Sequence, residues 1–328
     1  MLYLNADELM QALPLEGVMG CVEEALALYE ARAYEMPDRL AVDCGAGNLL
    51  LLMPSVALGH FCTKLVTVYP GNRAKGRPVI DGLVVLAAQD TGEILALMDA
   101  KTVTAMRTGA VTGTSIRYLA REEAASVGLV GCGVQGYYQL RYACVARPIR
   151  RIALYDLSAE AMQAMQARLR QALPEVEVRL TGSTEELASL SEILITATTA
   201  RQPVFPDDPA LFAGKHCAAI GSFEPEVREY PDALFSLLEK AWIDIDFAVE
   251  ESGELILPLR SGLLKEEQLE TLGHLIQSKQ PPARGPSGTT FFKTVGMALF
   301  DLTTARLAYA NAVEQGLGMD LGGDLHKV

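Results

Sequence analysis

The sequence predicts an α/β protein of two domains. A doubly wound parallel sheet occupies the middle of the chain, and an α+β unit is built from the residues before it together with the C-terminal helix. Three observations carry this prediction. From Ser126 onward strand-like and helix-like runs alternate, the pattern of a parallel sheet with crossover helices. A glycine-rich turn, Gly131-Cys132-Gly133-Val134-Gln135-Gly136, separates an apolar strand run from a helical run. Before that turn, strand-like runs follow one another across short connections, as in an antiparallel or mixed sheet.

The elements follow in order. Asn5-Ala6-Asp7-Glu8 has the form of a capping box opening a short helix. Glu16 to Ala33 carries apolar residues at helical spacing until Met36-Pro37 stops it. Strands are expected at Leu49–Met53, Phe61–Val68 and Leu83–Ala88, and at Ile94–Met98 after the turn Asp90-Thr91-Gly92. Lys101–Leu119 reads as a helix. The strand Ser126–Val130 then leads through the glycine turn into a helix reaching Ala146. Arg151–Tyr155 is a strand, and Ser158 caps a helix that ends near Pro174. Further strands are expected at Glu175–Leu180, Glu192–Ala197, His216–Ile220 and Ala241–Ile245. A loop rich in Pro and Gly (residues 281–286) precedes a last helix from Thr294 to Glu314.

At 328 residues the chain is long enough for two cores, and half of it is apolar. That composition excludes a disordered chain, a collagen and a disulfide-rich scaffold. A net charge of −13 argues against a nucleic-acid partner, which requires a dense basic face. The six cysteines are dispersed without a CxxC pair, as expected of reduced thiols in a cytoplasmic protein. No basic leader opens the sequence, and no apolar run approaches the roughly 20 residues of a membrane span. None of the four histidines has metal-site spacing; His60, His216 and His274 read as packing or surface residues, and His326 as part of a tail.

The glycine turn satisfies GxGxxG in the context that gives the motif meaning. Gly131 permits the tight turn, Gly133 lets a pyrophosphate approach the backbone, and Gly136 allows close packing of helix on strand. The N–H groups at the start of the following helix, at Val134 and Gln135, then point toward phosphate. Asp156 lies 20 residues beyond Gly136, at the end of the next strand. A carboxylate there accepts ribose hydroxyls and repels a 2′-phosphate, which favours NAD(H), while Arg150 and Arg151 leave NADP(H) possible. The competing reading makes Asp156 a helix cap in an ordinary strand-to-helix turn.

Three cations interrupt this pattern. Lys64 lies within Phe61–Val68 on the face shared by Cys62, Val66 and Val68. Burial there demands an anion, unless the strand is an edge from which lysine reaches water. Arg107 is followed by Thr108-Gly109-Ala110, small residues that admit a ligand or another backbone, and a guanidinium pairs naturally with a carboxylate. Arg39, after Met36-Pro37-Asp38, is a third candidate or a solvated loop arginine. Together they suggest a small anionic carboxylate substrate beside a nicotinamide.

Taken with Thr63-Lys64-Leu-Val-Thr-Val-Tyr-Pro-Gly-Asn72, Arg107-Thr-Gly-Ala110, Gly131–Gly136, Leu194-Ile-Thr-Ala-Thr-Thr199 and Ala219-Ile-Gly-Ser222, the chain resembles the ornithine cyclodeaminase/mu-crystallin family almost end to end. The resemblance implies a Rossmann-type NAD-binding domain over residues 121–294. It also implies a discontinuous substrate and dimerisation domain over residues 1–120 and 295–328, and a homodimer. By the same resemblance Arg39, Lys64 and Arg107 hold the substrate carboxylate. Arg107, Thr108, Gly131–Gly136, Asp156, Ala197 and Thr198 hold NAD(H).

Two positions depart from the cyclodeaminases. Leu51 stands where they carry a glutamate that recognises the side-chain amine, and Phe223 where they carry a catalytic aspartate. The segment Gly221-Ser-Phe-Glu-Pro225 instead looks like the branch that reduces cyclic ketimine acids. Such enzymes convert Δ1-pyrroline-2-carboxylate to L-proline or Δ1-piperideine-2-carboxylate to L-pipecolate, and apolar Leu51 and Phe223 suit the ring methylenes. Lys64 is then a catalytic candidate. Glu224 is a candidate proton relay or a solvated loop acid. The competing expectations are an ornithine cyclodeaminase, an amino-acid or opine-type dehydrogenase, and a crystallin-like protein that binds NAD(P)H and a small ligand.

Overall fold

A computed structural model describes residues 1–322 of the chain. The fold divides into two compact units: Met1–Arg107 with the segment from Met297 onward, and Thr108–Gly296. His326 lies outside the described residues. The first boundary falls thirteen residues before the expected position at residue 120, because one continuous helix serves both units. Its later residues are packed in the second unit, where a Cβ on Gly109 would stand 2.6 Å from Tyr142 and 3.0 Å from Tyr138. The small residues after Arg107 thus admit another helix. The second boundary falls at Gly296/Met297, close to the expected residue 294.

The first unit begins with β1 (Leu2–Leu4), α1 (Ala6–Ala12) and α2 (Leu15–Ala31). The Asn5 side chain accepts from Asp7 N and Glu8 N, and Glu8 reaches back to Asn5 N at 2.9 Å, so the capping box is complete. A left-handed Arg32 ends α2 two residues before the expected Ala33. Strands β2 (Leu40–Asp43), β3 (Leu49–Ala57), β4 (His60–Val68), β5 (Ile80–Ala88) and β6 (Ile94–Asp99) follow, then α3 (Ala100–Leu119).

Strand β3 runs four residues past the expected Met53, straight through Pro54. Val56 exchanges backbone bonds with Glu35, so Pro54, two residues back, points to the same side. Strand β2 pairs only as far as Leu52, and the missing proline N–H therefore falls where no neighbour needs it. Leu58 and Gly59, both at positive φ, close the β3–β4 hairpin. The sheet has the order β15-β1-β6-β5-β4-β3-β2, with β15 at Met319–Asp320. Its pairs are antiparallel except β1–β6, which makes the sheet mixed.

The second unit alternates as its sequence pattern requires: β7 (Ser126–Val130), α4 (Val134–Ala146), β8 (Arg151–Tyr155), α5 (Ala159–Ala172), β9 (Glu177–Leu180), α6 (Thr184–Ser189), β10 (Ile193–Thr196) and β11 (His216–Ala219). Short elements complete it: α7 (Asp232–Phe235), β12 (Ala241–Ile243), α8 (Ala248–Glu251), α9 (Gly253–Ser261), β13 (Leu269–Thr271), α10 (Leu272–Ser278) and β14 (Thr290–Lys293). All pairs in its eight-stranded sheet are parallel, in the order β13-β12-β14-β11-β10-β7-β8-β9. Both faces are covered, since Ile193 and Ile195 join one apolar cluster while Leu194 joins the other.

The chain then returns to the first unit as α11 (Ala298–Gln315). The expectation of a helix from Thr294 is corrected here. Thr290–Lys293 is a buried strand between β11 and β12, and Gly296 at φ +77° turns the chain before the helix begins. Helix α11 packs on β3 and β4, where Ser55 Oγ donates to the Ala298 carbonyl at 3.1 Å.

Gly82 tests the close packing of β4 and β5. A Cβ there would meet Leu65 O at 2.1 Å and Val66 Cα at 2.9 Å, both backbone atoms that cannot swing aside. Gly82→Ala is expected to lower the unfolding free energy by about 1–3 kcal/mol, read as a reduced midpoint in urea.

Candidate functional site

The first unit gathers three cations on one face of its sheet. Lys64 lies on β4 between β3 and β5, so the edge-strand reading does not apply. It is 3% exposed, and the anion it meets belongs to the protein: Lys64 Nζ lies 2.8 Å from Asp301 Oδ2. Arg107 Nε, also buried, donates to the other oxygen of the same carboxylate at 3.1 Å. Asp301 stands in the first turn of α11, fully buried. The sequence reading missed it because an aspartate near a helix start is so commonly a solvated cap. A signal was nonetheless present, as it sits within an otherwise apolar stretch, Met297-Ala-Leu-Phe-Asp-Leu302.

The electrostatics of the cluster follow from this crowding. Burial pushes the Lys64 ammonium down to about 8; Asp301 opposes that shift, while Arg107 and Arg39 reinforce it. Arg39 precedes β2 and is therefore near enough to act on Lys64, which brings all three expected cations together. Burial alone would raise the Asp301 carboxyl, but Lys64 and Arg107 outweigh it and hold the group below its usual range. Two cations share one carboxylate and Arg39 acts on Lys64 as well, which leaves an excess of positive charge in the cluster. Leu51 pairs with Val66 and lies on the Lys64 face, since Met53 is directly opposite Lys64.

The second unit carries the glycine turn at the C-terminal edge of β7. Strand order reverses between β7 and β10, which is where an open parallel sheet binds ligands. Gly131 has φ +103°, and a Cβ would strike Ala197 O at 2.5 Å. A Cβ on Gly136 would lie 2.3 Å from Gly131 O. Gly133 is different. Its Cβ position is open space, so no contact within the chain requires a glycine there. Beside it, Gln135 Oε1 is buried without a hydrogen-bond partner, and no side chain caps the N-terminus of α4. These features fit the pyrophosphate of a dinucleotide.

Asp156 is engaged from two sides: Oδ2 accepts from Cys132 N at 2.7 Å and Oδ1 from Ser158 N at 2.9 Å. It therefore ties the glycine turn to the start of α5 while retaining acceptor capacity on both oxygens. Arg150 and Arg151 stand at the opposite end of β8, about 16 Å away along the strand at its usual rise, too far to meet a 2′-phosphate beside Asp156. Thr198 donates both its N–H and its hydroxyl to Glu229 Oε1, each at 2.8 Å. Thr108 is buried in α3. Val134 and Phe223 are exposed, at 66% and 60%. Glu224 is exposed and paired with Arg201 at 3.1 Å. Among the described residues, no group of three or more His, Cys, Asp or Glu side chains is arranged to hold a metal.

The profile of the ornithine cyclodeaminase/mu-crystallin family matches residues 2–316. The chain belongs to this family. A Δ1-pyrroline-2-carboxylate reductase of Bacillus cereus is 31% identical over 97% of this chain and 98% of its own. Among solved structures, Thermococcus litoralis Δ1-pyrroline-2-carboxylate reductase, in complex with NADH and L-proline, superposes with a TM-score of 0.91 at 30% identity, covering 98% of this chain and 100% of that one. An archaeal alanine dehydrogenase dimer with bound NAD superposes with a TM-score of 0.87 at 27% identity, covering 97% and 98%. Within the ornithine cyclodeaminase/mu-crystallin family, then, this member pairs its basic cluster with apolar Leu51.

Breaking the buried triad has a definite cost. Asp301→Asn leaves Lys64 and Arg107 without their carboxylate and is expected to remove about 3–5 kcal/mol of stability. Because the Asp301 carboxyl is depressed, its contribution is present above the ordinary carboxylate range and lost as pH falls through the folded value. Urea titrations at pH 7 and pH 3 should show the gap between wild type and variant shrinking at the lower pH.

Proposed function

We propose that this protein is an NADH-dependent ketimine reductase that converts Δ1-pyrroline-2-carboxylate to L-proline, or the six-membered homologue to L-pipecolate. The observation that carries this reading is the buried cluster of Lys64, Arg107 and Asp301, with half-buried Arg39 acting on Lys64 and apolar Leu51 on the same sheet face. It has the charge to take a carboxylate, while Leu51 cannot pair with the side-chain ammonium of ornithine. The full-length likeness to named Δ1-pyrroline-2-carboxylate reductases supports the same conclusion.

In this reading Arg107 and Arg39 bind the substrate carboxylate and fix the ring, and restriction of the reacting geometry is the main source of rate. Asp301 holds Lys64 and Arg107 in place. Lys64 keeps its proton at neutral pH and donates toward the carboxylate and the ring nitrogen. Glu224, held by Arg201, is a candidate to return protons from solvent. Gly131–Gly136, Thr108, Asp156, Ala197 and Thr198 hold the dinucleotide, with Asp156 on the adenosine ribose, which selects NAD(H). The bound dinucleotide supplies the hydride that reduces the C=N carbon.

We also assign a homodimer and a cytoplasmic location. Leu40, Leu52, Leu65 and Leu83 are register partners across four adjacent strands, on the face opposite Lys64. Three of them are 39–54% exposed, an apolar row suited to a second copy of the same sheet. All six cysteines are free thiols, which suits a reducing compartment.

Incubation with NADH and Δ1-pyrroline-2-carboxylate should oxidise NADH and yield L-proline. Faster turnover of pyruvate with ammonia would replace this reading with an alanine dehydrogenase. Tight NADH binding without turnover of any imino, keto or amino acid would replace it with a binding protein. Lys64→Ala and Arg107→Ala should each lower kcat/KM about 100-fold or more, and Lys64→Ala should leave the Kd for NADH unchanged. With Lys64 near 8, kcat/KM should fall as pH rises past that value, and Lys64→Arg should move the fall upward. Gly133→Ala should weaken NADH binding while leaving the melting temperature intact, since its methyl group meets nothing in the chain. Leu65→Asp with Leu83→Asp should yield a 35.3 kDa species in light scattering where wild type gives twice that mass.

A further inference from the structure

The second unit buries more charge than its proposed cofactor contacts require. Glu229, Asp244, Glu254 and Lys293 are all fully buried. Two of these acids, Glu229 and Glu254, have acceptor bonds that converge on the strand-end loops beside the glycine turn.

Glu229 spans the loops that follow the neighbouring strands β10 and β11. Its Oε1 accepts from Thr198 N and Thr198 Oγ1, and its Oε2 accepts from Thr196 Oγ1 at 2.8 Å and Gly221 N at 2.7 Å. The two loops are in close contact at this point, since a Cβ on Gly221 would meet Thr198 O at 2.2 Å and Glu229 Oε1 at 2.7 Å. The Thr198 end adjoins the glycine turn, because Gly131 backs onto Ala197.

Glu254, in the first turn of α9, forms a second tier. It accepts from Glu229 N at 2.7 Å, Tyr230 N at 2.9 Å and Ser222 Oγ at 3.1 Å. Ser252 Oγ meets Ser222 Oγ at 2.9 Å, and Gly253 N donates to the Glu224 carbonyl at 2.9 Å. Helix α9 is thereby pinned to the segment that contains Phe223 and Glu224.

We propose that Glu229 and Glu254 are positioning residues for the dinucleotide, setting the spacing between the Ala197-Thr198 and Gly221-Ser222 loops. The inference rests on the reading above that Gly131–Gly136 and Ala197-Thr198 hold NAD(H). Six of the pair's seven acceptor bonds fall on strand-end loops or on each other, so the two carboxylates fix the loop spacing directly. The arrangement also carries a pH response. Burial raises the Glu254 carboxyl to about 7; Lys293 opposes the shift, Glu229 adds to it, and the two backbone N–H groups lower it. Lys293 in turn faces Asp244 and Glu251 as well as both glutamates. The ionised carboxylate accepts from all three donors at full strength, and the protonated acid gives up part of that capacity. The loops are therefore held more firmly above pH 7 than below it.

The test is a fluorescence titration with NADH from pH 6 to pH 9, with the melting temperature followed in parallel. Wild type should bind NADH more tightly as pH rises through about 7. Glu254→Gln, a fixed neutral side chain, should hold the weak low-pH Kd across the range. Glu229→Gln, whose amide nitrogen cannot accept two donors, should raise the Kd about 10- to 100-fold. Should Glu229→Gln fail to fold, the Glu254→Gln profile decides the matter alone. Wild-type Kd values with an unchanged pH profile in Glu254→Gln would overturn the proposal while leaving the cofactor site intact. Absence of NADH binding by wild type at every pH would instead remove the cofactor reading, and this inference with it.

Discussion

A lysine and an arginine side chain cannot be taken out of water without an anion, and in the first unit that anion is Asp301. Its two carboxylate oxygens are divided between Lys64 on the sheet and Arg107 on α3, so one acid at the start of α11 connects three elements remote in sequence. The C-terminal helix is consequently more than a cover for apolar strands. It completes the site electrostatically, and the return of the chain from the second unit is what delivers it. A buried pair of this kind gains little net stability over an apolar replacement, yet losing one partner is costly. The arrangement therefore makes sense chiefly as a device for keeping two cations dehydrated and fixed in orientation.

The second unit applies the same physics with the signs reversed. Buried carboxylates there are satisfied mainly by backbone N–H groups and hydroxyls, and Lys293 is the buried cation among them. Hydrogen bonds to ionised oxygens are short and directional, which suits holding loops at a fixed spacing. A net charge of −13 fits this division: the acidic exterior is solvated, and the cations that matter are those the fold encloses.

Several elements were legible because their causes are local. The capping box at Asn5, the alternation that put Lys64 on the buried face, and the glycine turn with its following helix all depend on neighbours within a few residues. Others were not legible. Pro54 reads as the end of a strand, and only the length of β2 shows that its missing N–H is harmless. Thr290–Lys293 is too short and too polar at its ends to be read as a strand. It becomes one by pairing with β11 and β12 on either side, and its buried Lys293 is met by the Ala219 carbonyl and by the charges of Glu229, Asp244 and Glu254. Gly109 marked room for a ligand or another backbone, and which of the two fills it is decided by Tyr138 and Tyr142 of α4.

By itself the sequence determined the fold class, the glycine turn and the out-of-place cations Lys64 and Arg107, because periodicity, glycine conformation and misplaced charge are properties of short segments. The tertiary structure decided which anion meets Lys64 and where the chain divides. It also decided that Glu229 and Glu254 face strand-end loops rather than solvent. Each of these depends on contacts between residues distant in the chain, and a charged side chain carries no local mark of whether its partner is water, substrate or another buried charge.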